Sequence, residues 1–353
     1  MNISTVMDAS RAAPVRRVLV LPILAVALVV AAAVGIAAGN VGIPVADVAS
    51  ILAQSLGLHG GADHTLRDVV VVTQIRTPRV VIAALVGASL GVAGAAMQGV
   101  FRNPLAEPGV VGVSSGGALG AVIALSSGLT AFGSWVLPVF AFTGSALTIG
   151  LVFGIQGISR RNGTATLLLV GIALNALLGA VISVLVATAD NDDQLRGIVF
   201  WLQGGLDART WEHVRMVVVP LLVGLVAITA FSRDLNVFGL GDDQARSAGV
   251  DVARTRTVIL LLAALLIGVS VAVSGTISFV GVVVPHAVRL VIGPDHRTLM
   301  PASALGGATF LVLADLIART AFEPVVLQVG VVTALVGAPV LLYFIVRSPQ
   351  ASR

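Results

Sequence analysis

Residues 76–109 read RTPRVVIAALVGASLGVAGAAMQGVFRNPLAEPG. Arg76 and Arg79 open the stretch, and residues 78–100 form an apolar run. Such a run covers a hydrocarbon layer of roughly 30 Å at about 1.5 Å per residue. Gly87 and Gly91 stand four apart inside it, the spacing that lets helix backbones approach in lipid. The run ends in Asn103-Pro104-Leu105-Ala106-Glu107-Pro108-Gly109, where two prolines and a glycine interrupt any helix. A membrane helix leading into a broken segment is the unit from which the rest is read.

Similar apolar stretches recur over 18–39, 111–128, 134–156, 164–188, 214–232, 257–274, 276–292, 299–318 and 328–346. With 78–100 they make ten spans, of which the pair in 257–292 is nearly continuous. The expected fold is an all-α polytopic membrane protein, a single transmembrane domain over 1–353 with a cytoplasmic tail at 1–17. Composition agrees. Of 353 residues, 57% are hydrophobic and 11% charged, against about 45–50% and 25% in soluble domains. The first apolar run, at about 22 residues, is too long for a usual leader peptide.

Two absences restrict the chemistry. There is no Cys, which removes thiolate catalysis and iron–sulfur ligation. All 21 basic residues are Arg, so neither a Lys-containing phosphate loop nor a Schiff base can form. With the N-terminus inside, 14 arginines fall on inner segments and 7 on outer ones. This bias places both termini in the cytoplasm. The net charge of +4 follows from it, and the chain has no basic face suited to nucleic acid.

Further glycines repeat the close-packing spacing at Gly112, Gly116 and Gly120, and at Gly150 and Gly154. Pro285-His286 marks a second interrupted stretch. Gly94 precedes Pro104 by ten residues, as Gly275 precedes Pro285, suggesting a weak internal repeat of broken helices. The longest cytoplasmic connection, 232–256, contains Leu240 to Val250, which reads as a short amphipathic helix. Asp242 and Asp243 suit its N-terminus and Gly249 its C-terminal turn. Such a helix suits docking into a groove of a soluble partner.

Few polar groups enter the spans. Asp315 lies four residues before Arg319, the spacing of an ion pair on one helix face, although a proton relay is the alternative. Asn175 is expected to hydrogen-bond between helices. His59, Asp63 and His64 share an outer polar loop, and no metal site is read there or elsewhere. The run Asp190-Asn191-Asp192-Asp193 is expected to be a solvated outer loop.

Several of these stretches together resemble the FecCD-type permease family: Arg76 to Arg79, Gln98 to Gly109, Gly281 to Arg289, Asp295 to Arg297, Leu313 to Asp315, and the Leu240 to Val250 helix. The resemblance runs from about Arg76 to Val346. It implies the type II importer permease fold of an ATP-binding-cassette system for ferric siderophores, heme or cobalamin, in the cytoplasmic membrane of a bacterium. It implies a second permease subunit, identical or paralogous, and two separate ATPase subunits on which ATP and Mg act. This chain then binds no cofactor and is not itself an enzyme. An extracytoplasmic binding protein is implied as well, its acidic residues pairing with Arg76, Arg79 and Arg319.

The resemblance also makes Leu240, Gly241, Asp242, Asp243, Ala245, Arg246 and Gly249 the element coupling the ATPases to the membrane helices. Asn103, Pro104, Glu107 and Pro108, with Pro285 and His286, would frame the pathway as broken helices. The competing reading is a proton- or ion-coupled secondary transporter built around Asp315.

Overall fold

The computed structural model describes the backbone over residues 3–39, 41–55, 57–58, 64–158, 164–322 and 325–347, with side chains from Leu19 onward except at 108, 110, 158, 164, 165 and 347. His59, Asp63, Arg160 and Arg161 lie outside the described residues. Fifteen α-helices follow in order, with no strand among the described residues. The first seven are α1 (Ile3–Ala37), α2 (Val45–Ser55), α3 (Leu66–Val70), α4 (Thr77–Phe101), α5 (Val113–Ser126), α6 (Val136–Ile158) and α7 (Thr164–Ala187). Then come α8 (Asp192–Gln203), α9 (Trp211–Ala230), α10 (Ser232–Phe238), α11 (Asp242–Ser247), α12 (Val252–Ser274), α13 (Val280–Ile292), α14 (His296–Thr320) and α15 (Val329–Arg347).

Eight helices among the described residues are long and apolar enough to cross a membrane. The other two expected spans are the short helices α5 and α13, of 14 and 13 residues. At about 1.5 Å per residue each falls well short of roughly 30 Å. Backbone outside any α-helix precedes each, at 102–112, which includes a 3-10 turn, and at 275–279. In a membrane such backbone is tolerated only where protein or an aqueous cavity surrounds it.

Helix α4 is the buried centre, packed against α9, α12, α13 and α14. The glycine spacing creates that packing. A Cβ on Gly87 would run into the Gly307 carbonyl of α14, and one on Gly91 into that of Ser303. Gly116 and Gly120 of α5 meet the Gly144 and Phe140 carbonyls of α6 in the same way. Gly150 and Gly154 differ from expectation, because a Cβ on either meets nothing within 4 Å. Their side of α6 has no partner within this chain.

The expected break at Pro285-His286 is corrected: both residues lie inside α13, and the interruption is the segment 275–279 before it. Pro285 has no N–H for the Gly281 carbonyl one turn earlier. That carbonyl rests instead on Gly94, where no side chain intervenes. The proposed repeat register fails for the same reason, since Gly94 is mid-helix whereas Gly275 ends α12 at φ 66°. Gly94→Ala would drive a methyl into the Gly281 carbonyl and is expected to cost at least about 1–3 kcal/mol. Gly150→Ala faces open space and should be neutral or stabilising by up to about 1 kcal/mol. Thermal unfolding of the two variants in detergent compares them directly.

Two other elements were not expected. Asp192 and Asp193 are not loop residues but the first turn of amphipathic α8, capped by Asn191 Oδ1 accepting from the Gln194 N–H at 2.9 Å. The cap residue, the two acids and Gln194 form a start signal that a count of acids obscures. Upstream of α4, the helix begins at Leu66 and passes through a π-helical turn at Val71–Arg76. Arg76 therefore sits inside a helix rather than in an outer loop. The Trp211 indole N–H donates to the Thr73 carbonyl within that turn at 2.8 Å.

Candidate functional site: two charged ends and a broken middle

The start of α4 and the ends of α1 and α14 meet at one end of the bundle, where the three expected docking arginines lie. Arg76 is buried and donates to the carbonyls of Ile36, Ala37 and Val41 at 3.1, 2.7 and 2.6 Å. Arg319 donates to those of Ala38 and Gly35 at 3.2 and 2.8 Å. Helix α1 has no basic residue in its own last turn, and a helix leaves its final carbonyls without intrahelical partners. Two arginines from other helices satisfy them. Gly39 makes room, since a Cβ there would lie 2.8 Å from Arg76 Nη2.

Arg79 is used internally too. Its Nε donates to Asp315 at 2.8 Å and its Nη1 to Asp207 at 2.7 Å. Asp315 is 1% exposed and pairs with Arg319 at 3.1 Å along α14. The i, i+4 pair is therefore present but enlarged into a buried cluster spanning α4, α14 and the α8–α9 loop. Gln328, just before α15, donates to the other oxygen of Asp207 at 3.2 Å. All three of Arg76, Arg79 and Arg319 are turned inward, and each already has partners within the chain. Asp207 and Gln328 escaped the sequence reading, because residues 128 and 121 positions apart from their partners leave no local signal.

At the opposite end, Gly99 near the close of α4 approaches Leu235 of α10 and His296 at the start of α14. The short helix α11 belongs to this end. It is shorter than the expected Leu240 to Val250: Leu240 is an exposed turn residue and Gly241, at φ 110°, precedes the first turn. Asp242 and Asp243 occupy that turn, and Ala245 is its buried contact. Arg246 pairs with Asp243 at 2.9 Å. The end is a Schellman turn, with Gly249 N–H on the Arg246 carbonyl at 2.9 Å and Val250 N–H on that of Ala245 at 3.1 Å. Gly249 holds φ 85° there.

Asp242 ties α11 to its surroundings. Its carboxylate accepts from Arg256 of α12 at 2.9 Å and lies 3.4 Å from Arg102, just past α4. The bond from Arg256, together with Arg102 and Arg246 nearby, holds its pKa below the usual carboxylate range. A depressed native pKa contributes stability that is fully present above the unfolded value and lost as pH falls through the native one. The anchoring of α11 is thus expected to stay constant down to about pH 4 and to loosen only in stronger acid. A mobility probe on exposed Ser247, followed from pH 7 to 3, measures this.

Between the ends lie the two breaks. Asn103 Oδ1 accepts from the Leu105 N–H at 2.9 Å, turning the chain, and Pro108 starts a 3-10 turn that ends at Gly112. Glu107 reaches across to the second break, its Oε1 accepting from the Phe279 N–H at 3.4 Å. Gln98 donates to the Val282 carbonyl at 3.2 Å, and Asn175 of α7 to the Gly109 carbonyl at 3.2 Å. A cavity of about 460 Å³ opens at this junction, with Glu107, Ser114, Ser115, Asn175, Thr276 and Ser278 in its wall. His286 lies away from this wall, its ring tilted against that of Phe344 in α15 with centroids 4.8 Å apart. Among the described residues no three His, Asp or Glu side chains converge as a metal cluster.

An all-α membrane bundle with paired helix breaks, a central polar cavity and an anchored helix in its longest loop has clear counterparts. The chain matches the FecCD transport family over residues 24–347. It belongs to that family. It is 44% identical over 83% of its length to the cobalamin import system permease protein BtuC of Halobacterium salinarum, covering 78% of that protein. It is also 44% identical, over 78% of its length, to the hemin transport system permease protein HmuU of Yersinia pestis, covering 83% of it. Among solved structures, an inward-facing metal-chelate type ABC transporter aligns with a TM-score of 0.82 at 31% identity, covering 93% of this chain and 99% of that one. This FecCD chain is a membrane-embedded transport permease.

Proposed function

We propose that this chain is the permease subunit of an ATP-binding-cassette importer carrying a large cargo of the ferric siderophore, heme or cobalamin type across a bacterial cytoplasmic membrane. The observation that carries the reading is α11. It is a helix of six residues closed by a Schellman turn, and one carboxylate ties it to Arg102, just past α4, and to Arg256 in the first turns of α12. A chain without Lys cannot form a phosphate loop, so two separate ATPase subunits would hydrolyse ATP with Mg²⁺ and dock at the α11 end.

The binding protein would deliver cargo at the opposite end, where Asp207, half-exposed, is the outward face of the arginine cluster. A second permease subunit, identical or paralogous, would complete the membrane portion of the importer. Asp315 argues against the proton-coupled reading. Its enclosed carboxylate is engaged by two guanidinium groups, Arg79 at 2.8 Å and Arg319 at 3.1 Å, whereas a relay carboxylate needs an open path to a proton donor and acceptor.

Equal identity to a cobalamin and a hemin permease does not separate those cargoes. The assembled transporter, in liposomes with its binding protein and ATP, should accumulate one of a ferric siderophore, hemin and cobalamin. Accumulation of none would overturn the reading.

A further inference from the structure

Asp242 stands at a fork. Both of its oxygens accept from Arg256 in the first turns of α12, whose far end opens the second break, and one of them also faces Arg102, the residue that leads α4 into the first break. The breaks are themselves joined by Glu107 and the Phe279 N–H. A continuous line of ion pairs, helices and one hydrogen bond therefore runs from α11 to the wall of the central cavity.

Arg102 adds an independent observation. It holds φ 51°, with its N–H on the Gly99 carbonyl at 3.3 Å and the Asn103 N–H on that of Gln98 at 3.2 Å. This is the left-handed helix-end position that glycine normally fills, because a Cβ is strained there. An arginine stands there instead, 47% exposed and aimed at α11. A Cβ on Gly241 would lie 3.6 Å from its Nη1. Arg256 is better enclosed, 11% exposed and 5.9 Å over the Phe238 ring. Exposed ion pairs add little stability, so the strained backbone at Arg102 is maintained for something other than folding.

We infer that Asp242 is the positioning residue through which displacement of α11 reaches both broken helices, Arg102 being its contact to α4 and Arg256 its contact to α12. The inference rests on α11 as the ATPase-docking element and goes beyond it by naming the link. Movement of α11 carries Asp242, Asp242 carries the start of the first break and the near end of α12, α12 carries the second break at its far end, and the cavity wall changes shape.

The test uses the assembled transporter in liposomes, comparing Asp242→Asn, Asp242→Glu and Arg102→Gly with the parent. For Asp242→Asn, cargo imported per ATP hydrolysed should fall roughly two- to thirty-fold, with Asp242→Glu restoring part of it. Arg102→Gly is the sharper variant: it relieves the left-handed strain, so its melting temperature should hold or rise while import per ATP falls. The absence of native Cys permits spin labels at Ser247 and Leu105 alone. Their separation should be the same with and without ATP and vanadate in the parent, and should shift or broaden in Asp242→Asn. Parental import per ATP together with an unchanged label separation in both Asp242→Asn and Arg102→Gly would overturn the inference. Should Asp242→Asn not assemble, Arg102→Gly decides alone. Replacing residues 241–249 by a Gly/Ser linker separates the two levels. If that linker uncouples and the point variants do not, only the role of Asp242 fails; if neither uncouples, the docking role of α11 fails with it.

Discussion

Asp315→Ala is expected to lower the stability of the folded chain by about 3–5 kcal/mol, the range for breaking a buried ion pair from one side. The effect is large because of what remains. Arg79 and Arg319 are 12% and 10% exposed, and removing Asp315 leaves two like charges facing each other in a site with little water. Arg319 keeps its carbonyl bonds to the end of α1, and Arg79 keeps only Asp207. Adding Arg79→Met should therefore recover part of the loss, making the double variant less damaging than the sum of its parts. Unfolding in detergent, followed as a double-mutant cycle, measures it. A loss under about 1 kcal/mol for Asp315→Ala would place the pair among exposed ones instead.

Replacing residues 241–249 with a flexible Gly/Ser linker is expected to have the largest functional effect. Import should fall by up to about a hundredfold, the upper range of measured coupling between sites, with ATP hydrolysis retained and the chain still inserted. The linker removes Asp242 and its two arginine contacts, the buried Ala245, and the Schellman turn that sets the path into α12. It leaves the membrane helices untouched. Import per ATP and membrane insertion are measured side by side, and retained import would show that force enters the bundle elsewhere.

The helices were legible because lipid imposes a strong pattern: about 20 apolar residues, with glycine where backbones touch. Gly87, Gly91, Gly116 and Gly120 carried that information correctly, while Gly150 and Gly154, with the same spacing, face no partner in this chain. Spacing reports that a close approach is possible, not that a neighbour is present. The first break was legible at Asn103 to Gly109 because proline and glycine act locally. The second was misplaced onto Pro285, since a proline early in a helix is tolerated when its orphaned carbonyl has room against Gly94.

Burial of charge was the least legible feature. The resemblance marked Arg76, Arg79 and Arg319 as partners for the acidic residues of a binding protein, and nothing in the sequence near them shows that they are buried. Their partners are backbone carbonyls of α1 and a distant Asp207, groups that no sequence window joins. For α11 the acidic first turn at Asp242 and Asp243 and the closing Gly249 were readable, but its anchoring to Arg102 and Arg256 exists only in three dimensions.

The central claim is that ATP hydrolysed on another polypeptide drives import through this chain. The most direct measurement is cargo uptake by the assembled transporter whose ATPase subunits bind but cannot hydrolyse ATP, with and without a protonophore. The expected result is no uptake in either condition, alongside protonophore-insensitive uptake with active subunits. Uptake that continues with the inactive ATPase and stops on adding the protonophore would contradict the account and make the chain an ion-driven transporter.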